Sequence, residues 1–174
     1  LKNLGLVKTV KFGKSKYIGD PINAVKIFND LKADELVFLD ISATAEDHAI
    51  PLGLISQISE EAFMPFSVGG GIKNIDDINK IIEQGAEKVV LNTHALSNPN
   101  IIKESSEYFG SQSITISIDV KKNIWGRYLV RTHSGKQASK VDPVIWAKTV
   151  ESLGAGEILL TSIDREGTWK GFNL

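Results

Sequence analysis

The feature that most constrains the fold of this chain is an internal repeat. Residues 20–35 (DPINAVKIFNDLKADE) lie without a gap on residues 142–157 (DPVIWAKTVESLGAGE), with Asp, Pro, Lys, Leu, Ala and Glu coinciding at six of sixteen positions. Each copy runs into an apolar strand, Glu35-Leu36-Val37-Phe38-Leu39 in one and Glu157-Ile158-Leu159-Leu160 in the other. Each strand then delivers an Asp-x-x-x-Thr loop, Asp40 to Thr44 and Asp164 to Thr168. A chance likeness between two amphipathic helices would not extend through strand and loop. The copies start 122 residues apart, room for about four βα modules. Two such half-units close most naturally as a (β/α)8 barrel of roughly 240–250 residues.

The rest of the chain keeps the same rhythm. Short apolar runs, 36–39, 66–68, 89–91, 114–118 and 158–160, read as buried strands. Stretches 20–32, 74–85, 98–109 and 142–153 between them carry helical spacing, as in Ile75, Ile78, Ile81 and Ile82. Asp20-Pro21, Asn98-Pro99 and Asp142-Pro143 each offer a capping side chain before a proline at the first helical position. Residues 125–141 read as a hairpin excursion. The fold class expected is α/β: one domain over 1–174, a partial (β/α)8 TIM barrel with the repeat at 20–44 and 142–168. Barrel positions 2 to 6 are present on this count and both ends are cut, the first position surviving as its exit loop. Two apolar edges would leave such a remnant unstable alone.

Composition narrows the function. A net charge of −1 offers no electrostatic case for nucleic acid or an anionic membrane. No apolar run approaches the roughly 20 residues that span a bilayer, and no signal peptide opens the chain. There is no cysteine, so thiolate catalysis and Cys-ligated metals are excluded and a cytoplasmic setting is expected. His48, His94 and His133 lack metal-ligand spacing, and all three are expected at the surface. Neither a metal nor a cofactor is expected.

Barrel enzymes carry their chemistry at the carboxyl ends of the strands. Those ends here supply Asp40, Gly69-Gly70-Gly71, Asn92-Thr93, Asp119 with Lys121, and Asp164 with Gly167-Thr168. A carboxylate straight after an apolar strand is costly to ionise unless it faces a wet mouth, which points to function; a capping role is the plain alternative. Gly70 and Gly71 allow backbone N–H groups to approach a phosphate at a helix N-terminus, and Asn92 and Thr93 add an amide and a hydroxyl. At the opposite strand ends stand Glu35, Lys88 and Glu157, able to ring the lower mouth of a closed barrel. Trp169 could pack locally or cover a ligand.

The strings Asp34-Glu35-Leu36-Val37-Phe38-Leu39-Asp40, Ser67-Val68-Gly69-Gly70-Gly71-Ile72, Lys88-Val89-Val90-Leu91-Asn92-Thr93, Ile118-Asp119-Val120-Lys121 and 154–168 (GAGEILLTSIDREGT) resemble the cyclase subunit of imidazole glycerol phosphate synthase. The resemblance runs in order over essentially the whole chain. It implies a lyase of histidine biosynthesis, paired with a glutaminase that supplies ammonia, acting on a substrate with a phosphate at each end. Asp119 would then be one of two general acid–base carboxylates, and Lys8 would match a lysine of the mobile first loop. Gly71, Asn92 and Thr93 would hold one phosphate and the loop Asp164, Gly167, Thr168 part of the other. Glu35, Lys88 and Glu157 would match three of four charges at an ammonia gate, with the glutaminase docked around Glu87 and Lys88.

Departures from the family pattern leave alternatives open. The strand-1 catalytic Asp would fall just before Leu1, and the fourth gate charge with it. Glu166 stands where an Asp is usual. Residues 1–12 (LKNLGLVKTVKF) look more like paralogues encoded with surface-polysaccharide genes, where a similar barrel passes ammonia to a nucleotide-sugar. A sugar-phosphate isomerase of the same lineage would need no charged ring. A non-catalytic phosphate-binding or docking fragment would tolerate loss of the barrel-top aspartates.

Overall fold

The computed structural model describes residues 1–171. Five strands run parallel: β3 (Leu36–Leu39), β4 (Phe66–Gly69), β5 (Lys88–Leu91), β6 (Ile114–Lys122) and β9 (Glu157–Ser162). They neighbour one another in the order of the sequence, each reached through a helix. A doubly wound sheet reverses direction at a switch point; this sheet does not. The result is a curled run of βα modules, part of a (β/α)8 barrel.

Period-2 alternation explains the two faces. Phe38, Phe66, Val68, Val89, Leu91, Ile114, Ile116 and Ile118 point one way into a single apolar cluster with Val25, Ile55, Ile58, Ile78, Ile102 and Val150 of the helices. The intervening residues face the barrel lumen, and on β6 these are Thr115, Ser117 and Asp119, all buried. The outer face is thus apolar, while the inner face sets polar residues among apolar ones such as Val37, Val90 and Leu159.

The helices are α1 (Pro21–Asp30), α2 (Leu52–Glu61), α3 (Ile75–Glu83), α4 (Thr93–Ser97), α5 (Asn100–Phe109) and α6 (Pro143–Ser152). Asp20 and Asp142 cap α1 and α6 by accepting backbone N–H bonds, with proline following. Asn98 does not act likewise: Pro99 occupies the capping position of α5, and Asn98 instead closes α4. Helix α2 has no capping side chain and starts after Pro51, so it lacks the start signal that α1, α3 and α6 carry. None of the described helices is long and apolar enough to cross a membrane.

The segment at the first barrel position forms a two-stranded sheet of its own. β1 (Leu6–Lys8) and β2 (Lys16–Gly19) form an antiparallel hairpin, and Ile41 N–H donates to the Leu1 carbonyl at 3.0 Å just past β3. The excursion after β6 is a hairpin as its pattern suggests, β7 (Tyr128–Thr132) with the short β8 (Gln137–Ala138). β7 pairs with the upper part of β6 beyond the end of β5.

Candidate active site

Because the strands are parallel, their carboxyl ends gather at one mouth, and the candidate residues gather with them. Asn92, just past β5, donates its side-chain amide to Asp119 Oδ2 at 2.8 Å. Asp119 is 6% exposed. Burial raises its pKa to about 6, against the opposing pull of hydrogen bonds from Asn92, Thr161 and Ser117. Thr161 is its register partner on β9. A carboxyl poised near neutrality among neutral donors can give or take a proton at physiological pH.

The glycine loop follows β4, two strands away at the same mouth. Gly71 has φ +70°, and a Cβ there would lie 2.0 Å from the His48 carbonyl oxygen, so the glycine is demanded by packing as well as by any ligand. Gly70 has φ +128° and rests against the Asp40 backbone. Helix α3 begins four residues beyond Gly71, is capped by Asn74, and carries Asp76 and Asp77 in its first turn, which repel an anion. Thr93 lies across the crevice, its Oγ1 accepting from His133 N–H at 3.1 Å.

Asp40 takes the structural role. Its Oδ1 accepts from Ser42 N–H at 2.9 Å, Ser42 Oγ at 2.8 Å and Ala43 N–H at 3.2 Å, organising the turn after β3. Its other oxygen stands 3.9 Å from His48 Nδ1. Asp40 thus shapes the turn at the mouth through one oxygen of its carboxylate. The three histidines are partly exposed, His48 with 39% of its side chain open to solvent.

Loop 163–168 is drawn toward the first hairpin. Asp164 Oδ2 accepts from Lys122 N–H at 3.1 Å and Thr168 Oγ1 donates to the Arg165 carbonyl at 2.7 Å. Glu166 accepts from Thr9 Oγ1 at 3.0 Å and Phe12 N–H at 2.9 Å, while its carbonyl accepts from Lys11 N–H at 2.9 Å. Gly167 fits flush against this hairpin, since a Cβ would come within 2.3 Å of the Thr9 carbonyl. The longer side chain at Glu166 therefore has a use: it reaches the tip of the β1–β2 connection. Lys8, at the end of β1, is exposed, and Trp169 is 98% exposed.

At the other end of the lumen, Lys88 Nζ lies 2.9 Å from Glu35 Oε2 and 2.6 Å from Glu157 Oε1. Ser67 Oγ donates to Glu35 at 2.6 Å and Thr115 Oγ1 to Glu157 at 3.3 Å. Burial opposes the Glu35 charge, but the bonds from Ser67 and Lys88 outweigh it and hold the carboxyl below its ordinary value. Bonds to Glu157 and Glu35 raise Lys88. Glu35, Ser67, Thr115 and Glu157 border a cavity of about 230 Å³ that Val90 also lines. Among the described residues no group of three or more His, Cys, Asp or Glu side chains is placed to hold a metal.

Three site residues escaped the sequence reading: Ser117, Thr161 and Arg131, the register partner of Asp119 on β7. The first was legible as a polar residue at period two within an apolar strand. The others needed strand register.

Comparison with known proteins is decisive at this point. A model of the family described as histidine biosynthesis protein matches residues 2–174. The chain belongs to that family. It is 46% identical over 169 residues to imidazole glycerol phosphate synthase subunit HisF of Alkaliphilus metalliredigens, covering 97% of this chain and 67% of that one. It is 46% identical over 175 residues to subunit HisF of Thermococcus onnurineus, covering 100% and 69%. A Pseudomonas aeruginosa protein, provisionally named subunit hisF2 of the same synthase, is 47% identical over 173 residues, covering 99% and 69%. The chain thus spans about two thirds of these family members.

Proposed function

We propose that this chain is the cyclase unit of an imidazole glycerol phosphate synthase, a lyase of histidine biosynthesis acting in the cytoplasm on a phosphorylated substrate. The observation that carries the reading is Asp119: a buried carboxyl at a strand carboxyl end, hydrogen-bonded only by neutral groups and set to titrate near pH 6. Ring closure needs proton movement, and Asp119 is the general acid–base group. Gly70, Gly71, Asn92 and Thr93 form the crevice for one substrate phosphate, and the loop from Asp164 through Gly167 to Thr168 borders the other. Lys8 closes over the mouth with the first hairpin.

Ammonia enters at the lower end, from a glutaminase subunit docked around Glu87 and Lys88. Support comes from the Glu35–Lys88–Glu157 cluster and from the polar lumen above it. Thr115, bonded to Glu157, and Asp119 lie on one strand face four residues apart, roughly 13 Å at the usual strand rise.

The test is Asp119→Asn with ammonium as donor, following release of aminoimidazole carboxamide ribotide. Removal of a general acid–base group predicts a loss of about 10²–10⁴ in turnover with folding intact. Activity near that of the parent chain would overturn the assignment. A second acceptor class, a nucleotide-sugar, draws support from Glu166 being spent on the hairpin instead of the mouth; the same assay with that acceptor separates the two.

A further inference from the structure

Arg131 is the one described guanidinium at this mouth with a buried nitrogen and no partner. It stands directly opposite Asp119 in the β6–β7 ladder, and residues so paired project to the same face. Its neighbours Val120 and Val130 are paired in the outer apolar cluster, which turns Arg131 toward the mouth. Yet Arg131 makes no ion pair with Asp119 or with any other described carboxylate, and its Nε is buried without a hydrogen bond. An unmet charged donor is costly to keep, so a ligand is the natural complement.

The crevice supplies the second half of the argument. Its donors are all neutral: two glycine amides, the Asn92 amide and the Thr93 hydroxyl. Helix electrostatics cannot make up the difference, since α3 is capped and acidic at its start and α4 has only five residues. Lys73, the nearest lysine in sequence to the glycines, is paired with Asp47. Strand β7 leads from Arg131 straight to His133, whose N–H is bonded to Thr93. We propose that Arg131 is a further ligand-binding residue of this chain, its guanidinium taking an anionic oxygen of the phosphate held between the Gly71 and Thr93 loops. The fork geometry of a guanidinium suits two phosphate oxygens at once. This deepens the phosphate assignment above and rests on it.

Inorganic phosphate is the probe, titrated into the chain while the amide resonances of Gly71 and Thr93 are followed by NMR at constant ionic strength. Arg131→Met should weaken phosphate at least tenfold, Arg131→Lys should recover part of the loss, and Lys136→Met on the exposed neighbouring turn should match the parent. Without phosphate, Arg131→Met should melt no lower than the parent, because it removes an unsatisfied donor; Arg131→Gln serves as a second variant should Met fold poorly. Unchanged phosphate affinity in Arg131→Met, with the Gly71 and Thr93 amides still shifting, overturns the role of Arg131 and leaves the crevice standing. No phosphate response in the parent chain at tens of millimolar overturns the crevice itself, and the Arg131 assignment with it.

Discussion

Asp119 should make the protein less stable than it could be, and the size of that effect can be worked out. In an unfolded chain an aspartate titrates near 3.9; in the fold it titrates at about 6 because burial penalises the charged form. Between those values the folded state holds a proton that the unfolded state has released. Stability therefore falls as pH rises from about 4 to 6, and the penalty is full above that window. Roughly two pH units correspond to about 3 kcal/mol. Asp119→Asn keeps the shape and the bond to Asn92, with the amide oxygen as acceptor, and removes the charge. It should unfold later in urea than the parent at pH 8, by up to about 3 kcal/mol, and by nearly nothing at pH 4. A variant that is equally or less stable at pH 8, or a difference that does not change with pH, would refute the claim that Asp119 is held ionised at a cost. The same variant is the one expected to lose turnover, so a gain in stability would separate catalytic loss from misfolding.

The fold was legible because the repeat and the strand–helix rhythm depend on local pattern. All five parallel strands lie where apolar runs occur, and β6 merely extends further, through Asp119 to Lys122. Helix α2 was not legible: no capping side chain marks its start, which follows Pro51. The β1–β2 hairpin was hidden because it is held by distant contacts with Glu166 that no local signal announces. The site divides similarly. Asp119, Asn92 and Lys88 follow from placing polar residues at strand ends. The turn-forming use of Asp40 and the buried, unpaired Nε of Arg131 depend on register and loop packing, which spacing alone does not contain.

Two further outcomes follow from side-chain geometry. Glu166→Ala removes the bonds to Thr9 and Phe12; two lost bonds of about 1 kcal/mol each predict at least roughly tenfold faster tryptic cleavage at Lys11 and Lys14, with other sites unaffected, and unchanged cleavage there would show that Glu166 does not hold the hairpin. Lys88→Met leaves Glu35 and Glu157 facing each other without their shared cation. Glu157 is about half-exposed, so solvent screening limits the loss to about 1–2 kcal/mol at pH 7. Because the Glu35 pKa is held down in the parent, the stability it contributes is present above its unfolded value near 4.3 and is lost as pH falls through the folded one. The deficit of Lys88→Met should accordingly be full above about pH 5 and fade below about pH 4 as the Glu35 carboxyl takes up its proton, and urea unfolding across that range measures it; a deficit that persists undiminished in acid would mean that the lysine contributes through packing of its stem and not through its charge.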